Sequence, residues 1–208
     1  MEKHKGLINE IVKQNLSPHE MKEKLGEKGI SEKPYHIHWI TSLSVSCIIW
    51  LLPGIAKYSG WGFLRFFANL HSMKFPLSIV IIGLLFIIVG ISLISQASYR
   101  RKELGGLQDV DETIYIIKEG LYRVVRHPDF LGQLFLFPAI PLVLSRWIPF
   151  TILGVIYWIM IIGSIALFVL KEEKFNLKKW GKQYRDYQRE VSSINFVKGL
   201  WNLRKAKP

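Results

Sequence analysis

The apolar residues of this chain are gathered into long blocks and do not recur at helical or strand period. Residues 37–55, 75–95 and 147–170 each supply about the 20 residues that a helix needs to cross a bilayer core. The last of these contains no charged residue. A shorter block, 131–144, carries Pro138 and Pro141. Extended from Asp129 to Arg146 it reaches about 27 Å at ~1.5 Å per residue, enough for a fourth crossing. Proline is tolerated in such a helix when a neighbour satisfies the carbonyl it frees. The pattern predicts an all-α integral membrane protein with about four transmembrane helices.

The polar stretches have their own patterns. Leu7, Ile8, Ile11 and Val12 share one face of a short helix. Ser17-Pro18-His19-Glu20 has the form of a helix start, with a Ser cap, Pro at the first helical position and Glu three residues after the cap. Met21 and Leu25 give this second helix a thin apolar face, and Gly26 and Gly29 end it. Two helices so short need a neighbour, either the membrane domain or a second copy or partner. Residues 57–74 form a loop rich in aromatic rings, which suit a membrane interface. Gly83 and Gly90 predict close helix packing within the second block. Residues 96–130 read as a long loop, with an extended stretch at 113–117. Residues 176–189 could continue the last long helix past the membrane. Near the C-terminus Phe196, Leu200, Trp201 and Leu203 alternate with Lys198, Arg204 and Lys205, the pattern of an interfacial anchor.

Charge gives the topology. The chain has 28 Lys and Arg against 16 Asp and Glu. Four crossings would place 24 of the basic residues on one side and four on the other. The positive-inside rule makes the richer side cytoplasmic and puts both termini there. A basic face beside a bilayer meets anionic lipid, so the charge implies membrane lipids as partners and not nucleic acid. The first apolar block follows some 36 polar residues, too late for a signal peptide. The single cysteine, Cys47, excludes a disulfide framework, and no glycine-rich nucleotide motif marks a Rossmann domain. His36 and His38 have no third ligand nearby in sequence, so no metal is assigned.

Two polar motifs flank the last two apolar blocks. The first runs Gly120-Leu121-Tyr122-Arg123-Val124-Val125-Arg126-His127-Pro128-Asp129-Phe130-Leu131-Gly132. The second begins at Glu172-Glu173 and continues through Trp180-Gly181 to Tyr184 and Tyr187. A there-and-back hairpin would bring both to one membrane face. Pro128 suits a helix start, where its missing N–H costs nothing. Acidic residues at the C-terminal end of a helix are disfavoured unless cations stand by, and Arg123, Arg126 and His127 are the natural source. Together the motifs could enclose a small zwitterionic or cationic ligand. The carboxylates would take an ammonium group or ribose hydroxyls, Arg and His a carboxylate, and the tyrosines and proline an aromatic base.

At these residues the chain resembles the isoprenylcysteine carboxyl methyltransferase and phospholipid methyltransferase superfamily of membrane enzymes. Its pattern R-H-P-x-Tyr-x-G reads here Arg126-His127-Pro128-Asp129-Phe130-Leu131-Gly132, after the turn Gly120-Leu121-Tyr122. The later E-E and F-G-x-x-Tyr-x-x-Tyr read Glu172-Glu173 and Trp180-Gly181-Lys182-Gln183-Tyr184-Arg185-Asp186-Tyr187, followed by Val191. The resemblance covers about residues 75–197. It implies S-adenosylmethionine bound at the cytoplasmic face, with contacts from Ile114, Tyr115, Ile116, Ile117, Tyr122, His127, Pro128, Asp129, Phe130 and Glu172. It implies methyl transfer to a lipid-like or otherwise hydrophobic acceptor. No general base is assigned, and Arg126 is our choice for an electrostatic role near that acceptor. Phe130 replaces the usual tyrosine and Leu121 the usual proline. A proline expected near Ile194-Asn195-Phe196 is missing. Phe168 stands where the isoprenylcysteine enzymes carry a substrate-binding arginine, which argues against a prenylcysteine carboxylate as acceptor. The alternatives are an NADPH-dependent sterol-reductase-like enzyme and a non-catalytic membrane adaptor with the same fold. The chain thus divides into a cytoplasmic N-terminal helical segment, 1–36, and a membrane methyltransferase domain, 37–208.

Overall fold

A computed structural model describes residues 35–103 and 116–205, together with Glu20 and Glu23. The two N-terminal helices, the site candidates Ile114 and Tyr115, and most of the stretch expected to be extended lie outside the described residues. Regular structure within them is helical: α1 (Tyr35–Ser59), α2 (Arg65–Ala68), α3 (Leu77–Glu103), α4 (Pro128–Leu144), α5 (Ile152–Trp180), α6 (Lys182–Glu190) and α7 (Phe196–Lys205). Single 3-10 turns occur at Gly62–Leu64 and Gly120–Arg123. Among the described residues, three segments are long and apolar enough to cross a membrane: His38–Ser59, Leu77–Arg101 and Ile152–Trp180. The apolar α4 has 17 residues and is shorter.

The helices overrun the apolar blocks. α3 continues through Arg100 and Arg101 to Glu103, where the charge pattern placed a loop. Arg and Lys are good helix formers, so loss of hydrophobicity alone does not end a helix. α5 has 29 residues, about 44 Å at ~1.5 Å per residue, against a bilayer core of ~30 Å. Glu172 and Glu173 are therefore inside the helix, two turns before its end, and not at its C-terminus. The continuation expected over 176–189 is broken at Gly181, whose φ of +56° favours glycine.

The chain divides into two compact units. One is drawn from Pro34–Ser92 and Gly132–Phe168. Here Gly90 abuts α4 so closely that an added Cβ would lie 2.6 Å from the Gly132 carbonyl oxygen and 2.9 Å from Leu136 Cβ. A Cβ on Gly83 would lie 3.1 Å from Val143. Both glycines are close-packing points, as expected. Pro141 deprives the Phe137 carbonyl of its helical donor, and the Tyr157 hydroxyl donates to that oxygen at 3.0 Å. Trp158 Nε1 donates to the next carbonyl, that of Pro138, at 2.9 Å. Ser42 and Ser164 share a hydroxyl hydrogen bond of 2.6 Å, and Trp50 packs on Tyr157 with ring centroids 5.7 Å apart. Large side chains such as Ile88, Ile159 and Leu167 remain exposed, the surface a helix turns toward lipid.

The second unit is drawn from the described residues within Leu93–Leu131 and Val169–Pro208. It contains both polar motifs.

Candidate active site

The first motif folds as a turn followed by a helix. Gly120 sits at φ +57° and opens the 3-10 turn. Val125 then pairs with Ser192 in a parallel bridge. The Arg126 and His127 amides donate to the Ser192 and Ser193 carbonyls at 2.8 and 3.1 Å. Pro128 starts α4, as its ring predicted. These backbone bonds tie the loop before α4 to the strand-like segment after α6.

Glu173 is the centre of the cluster. Its Oε1 accepts from Arg126 Nε and Nη2 at 2.9 and 2.7 Å, from His127 Nε2 at 3.0 Å and from Ser193 Oγ at 3.2 Å. Gln188 Nε2 donates to its other oxygen. Arg126 Nη1 is spent on the carbonyls of Gln188 and Val191. Its guanidinium is thus committed to Glu173 and to two backbone oxygens.

His127 is 2% exposed and lies between two carboxylates, with Nδ1 3.5 Å from Glu172 and Nε2 3.0 Å from Glu173. Burial alone would lower its pKa. The charge of Glu172 and hydrogen bonds to Glu172 and Glu173 outweigh it and raise the value to about 10. The raised value favours the imidazolium form, which donates from Nε2 to Glu173 and sets Nδ1 against the Glu172 carboxylate. Glu172 differs from Glu173: its side chain is 38% exposed against 14%.

The tyrosines close the cluster. Tyr187 donates to the Tyr122 carbonyl at 2.6 Å, and the Tyr184 hydroxyl lies 3.5 Å from His127 Nε2. Burial pushes both phenols up, Tyr184 to about 12. Trp180 stacks on Tyr184 with centroids 6.1 Å apart. The Trp180 indole N–H is buried and has no hydrogen-bond partner among the described residues.

Of the site candidates, His127 and Glu172 meet directly, with Arg126 joined to them through Glu173. Phe130 sets its ring edge toward His127 at 6.0 Å. Tyr122 and Ile117 pack with Ala97 in a buried apolar cluster that meets the site through the Tyr187–Tyr122 hydrogen bond, and Ile116 is half-buried. Pro128 is fully buried. Asp129 turns to Arg101 at 3.0 Å. Arg101, Gln188, Ser193 and Trp180 belong to this constellation and were not among the site candidates. Arg101 was hidden by the expectation of a loop at 96–130, and Gln188 and Ser193 carry no motif signal.

Comparison with known proteins agrees with the motif pair. Residues 78–183, just over half of the chain, match the phospholipid methyltransferase family, and the chain belongs to that family. It is also similar to the methanethiol S-methyltransferase of Mycobacterium tuberculosis, 39% identical over 74 residues. That stretch is 36% of this chain and 28% of the relative, so the chain spans little more than a quarter of that relative's length. No solved structure matches. Family and apolar helices together point to a membrane protein of the phospholipid methyltransferase family.

Proposed function

We propose that the chain transfers a methyl group from S-adenosylmethionine to a lipid-like or other hydrophobic acceptor, at the cytoplasmic face of a membrane it crosses four times. The observation that carries this reading is the His127 cluster, in which a partly exposed carboxylate, Glu172, stands against a buried imidazolium.

The residues fit the cofactor. Glu172 offers its free edge to an ammonium group or ribose hydroxyls, and the stacked Trp180 and Tyr184 rings, with the unsatisfied indole N–H, suit an aromatic base. When bound, S-adenosylmethionine supplies an electrophilic methyl group on a sulfonium. The chain's part is to align that methyl with the acceptor and to keep water away, which favours in-line displacement. Arg126 holds Glu173, and through it His127, so its contribution is to position them. Glu172 also pairs with His127, but its side chain is 38% exposed against 14% for Glu173, so within the described cluster it is the carboxylate with the larger free edge.

The family name points to phospholipids and the relative's name to a small thiol. Phe168, set edge-on to Trp39 at 5.2 Å, brings no cation for a carboxylate acceptor. Thiols and phospholipids are therefore the acceptors to try first.

Calorimetry on the protein in detergent tests the donor. Heat is expected with S-adenosylmethionine and none with NADPH. Glu172→Gln is expected to weaken cofactor binding at least tenfold, and Lys171→Gln by less than twofold. Silence with S-adenosylmethionine would overturn the reading, and heat with NADPH would favour the reductase-like alternative. Methyl-labelled cofactor incubated with total lipid and with methanethiol then identifies the acceptor.

A further inference from the structure

We propose that α7 is a docking surface for an anionic bilayer. This helix lies beyond the residues that match the family, and the inference does not depend on the proposed function.

α7 is held on one side and bare on the other. Gly199 is buried against the first motif, so close that a Cβ there would collide with the Val124 carbonyl oxygen. Asn202 Nδ2 donates to the Glu190 carbonyl at 3.1 Å. At about 100° per residue, Phe196, Leu200, Val197 and Trp201 fall within an arc of about 140° on the opposite side. All four are exposed, Val197 by 78% and Trp201 by 59%. Arg204 lies on the same arc, Lys205 lies about 40° and Lys198 about 60° beyond its Trp201 edge, and the helix has no acidic residue.

An apolar arc interleaved with basic groups is the pattern of a helix lying in a headgroup layer. The protein already lives in a membrane, so such a surface is always at hand. A second copy of α7 would set like charges against one another. Anionic lipid neutralises them, and tryptophan suits the interfacial depth.

The experiment places an environment-sensitive fluorophore on Val197→Cys in the full chain, with Cys47→Ser removing the native thiol. The protein is reconstituted in nanodiscs of phosphatidylcholine alone or with phosphatidylglycerol. In the anionic discs emission is expected to shift to the blue and to be quenched by brominated lipid. Each basic residue contributes about a fivefold change in the seated-to-free ratio. The combined Lys198→Gln, Arg204→Gln and Lys205→Gln variant should therefore lose the shift, as should the unchanged helix in high salt. Identical emission in the two compositions would overturn the proposal. So would a shift in lipid-free detergent that grows with protein concentration, since that would mean a second copy covers the arc.

Discussion

At the scale of single residues the cluster turns on one proton. His127 has a folded pKa of about 10 against an ordinary 6.5. A value raised by folding means that the protonated form stabilises the fold. Its contribution is complete below pH 6.5 and is lost as pH rises through about 10. Within that window the slope from one such group is at most about 1.4 kcal/mol per pH unit. Thermal unfolding in detergent should therefore occur at lower temperature as the pH is raised from about 7 to about 9, and His127→Asn should flatten that trend. Equal slopes in the two proteins would place the proton elsewhere. The sequence named His127, Arg126 and the Glu pair, but not the division of labour within the pair. Neighbours on a helix point about 100° apart. The rotation of α5 about its own axis thus decides that Glu173 faces the arginine while Glu172 keeps an open edge.

At the scale of elements the unusual helix is α4, which contains two prolines within 17 residues. The Tyr157 hydroxyl takes the carbonyl that Pro141 leaves free. Tyr157→Phe should destabilise the protein by about 0.6 to 1.7 kcal/mol, the range of side-chain hydrogen bonds in membranes. In a Pro141→Ala background the same change should cost less, because the restored amide can donate to the Phe137 carbonyl. A double-mutant cycle by denaturant unfolding measures the difference, and strict additivity would separate the two residues. Gly90 and Gly163 make a second comparison. Gly90→Ala forces a Cβ against the Gly132 carbonyl and should cost about 1 to 3 kcal/mol. A Cβ at Gly163 meets nothing within 4 Å, so Gly163→Ala should be neutral or mildly stabilising. The existence of these helices was readable from hydrophobic blocks. Their ends were not, because Arg101 in α3 and Glu173 in α5 are held by Asp129 and by Arg126, partners far away in sequence.

At the scale of the whole molecule the charge distribution makes the prediction. With Cys47→Ser as background, single cysteines at Lys118 and Lys198 should react with an impermeant maleimide only after the membrane is opened. Cysteines at Lys74 and Arg146 should react in sealed cells. Labelling of all four from outside, or of Lys74 from the inside, would overturn the four-crossing topology with cytoplasmic termini. The reason to expect it is the ratio of 24 basic residues to four, which the positive-inside rule converts into an orientation.

Local chemistry is enough to determine much of this protein. Long apolar blocks demand helices that satisfy their own backbone in lipid, and Pro128 demands a helix start. The two motifs, at their spacing, identify the family. Only the tertiary structure decided which charges meet. Arg101 with Asp129, Arg126 with Glu173, and His127 between two carboxylates each join segments separated by 28 residues or more. No local pattern encodes such pairs. They form because a buried charge is tolerated only beside an opposite one, and the packing of the helices selects which one that is.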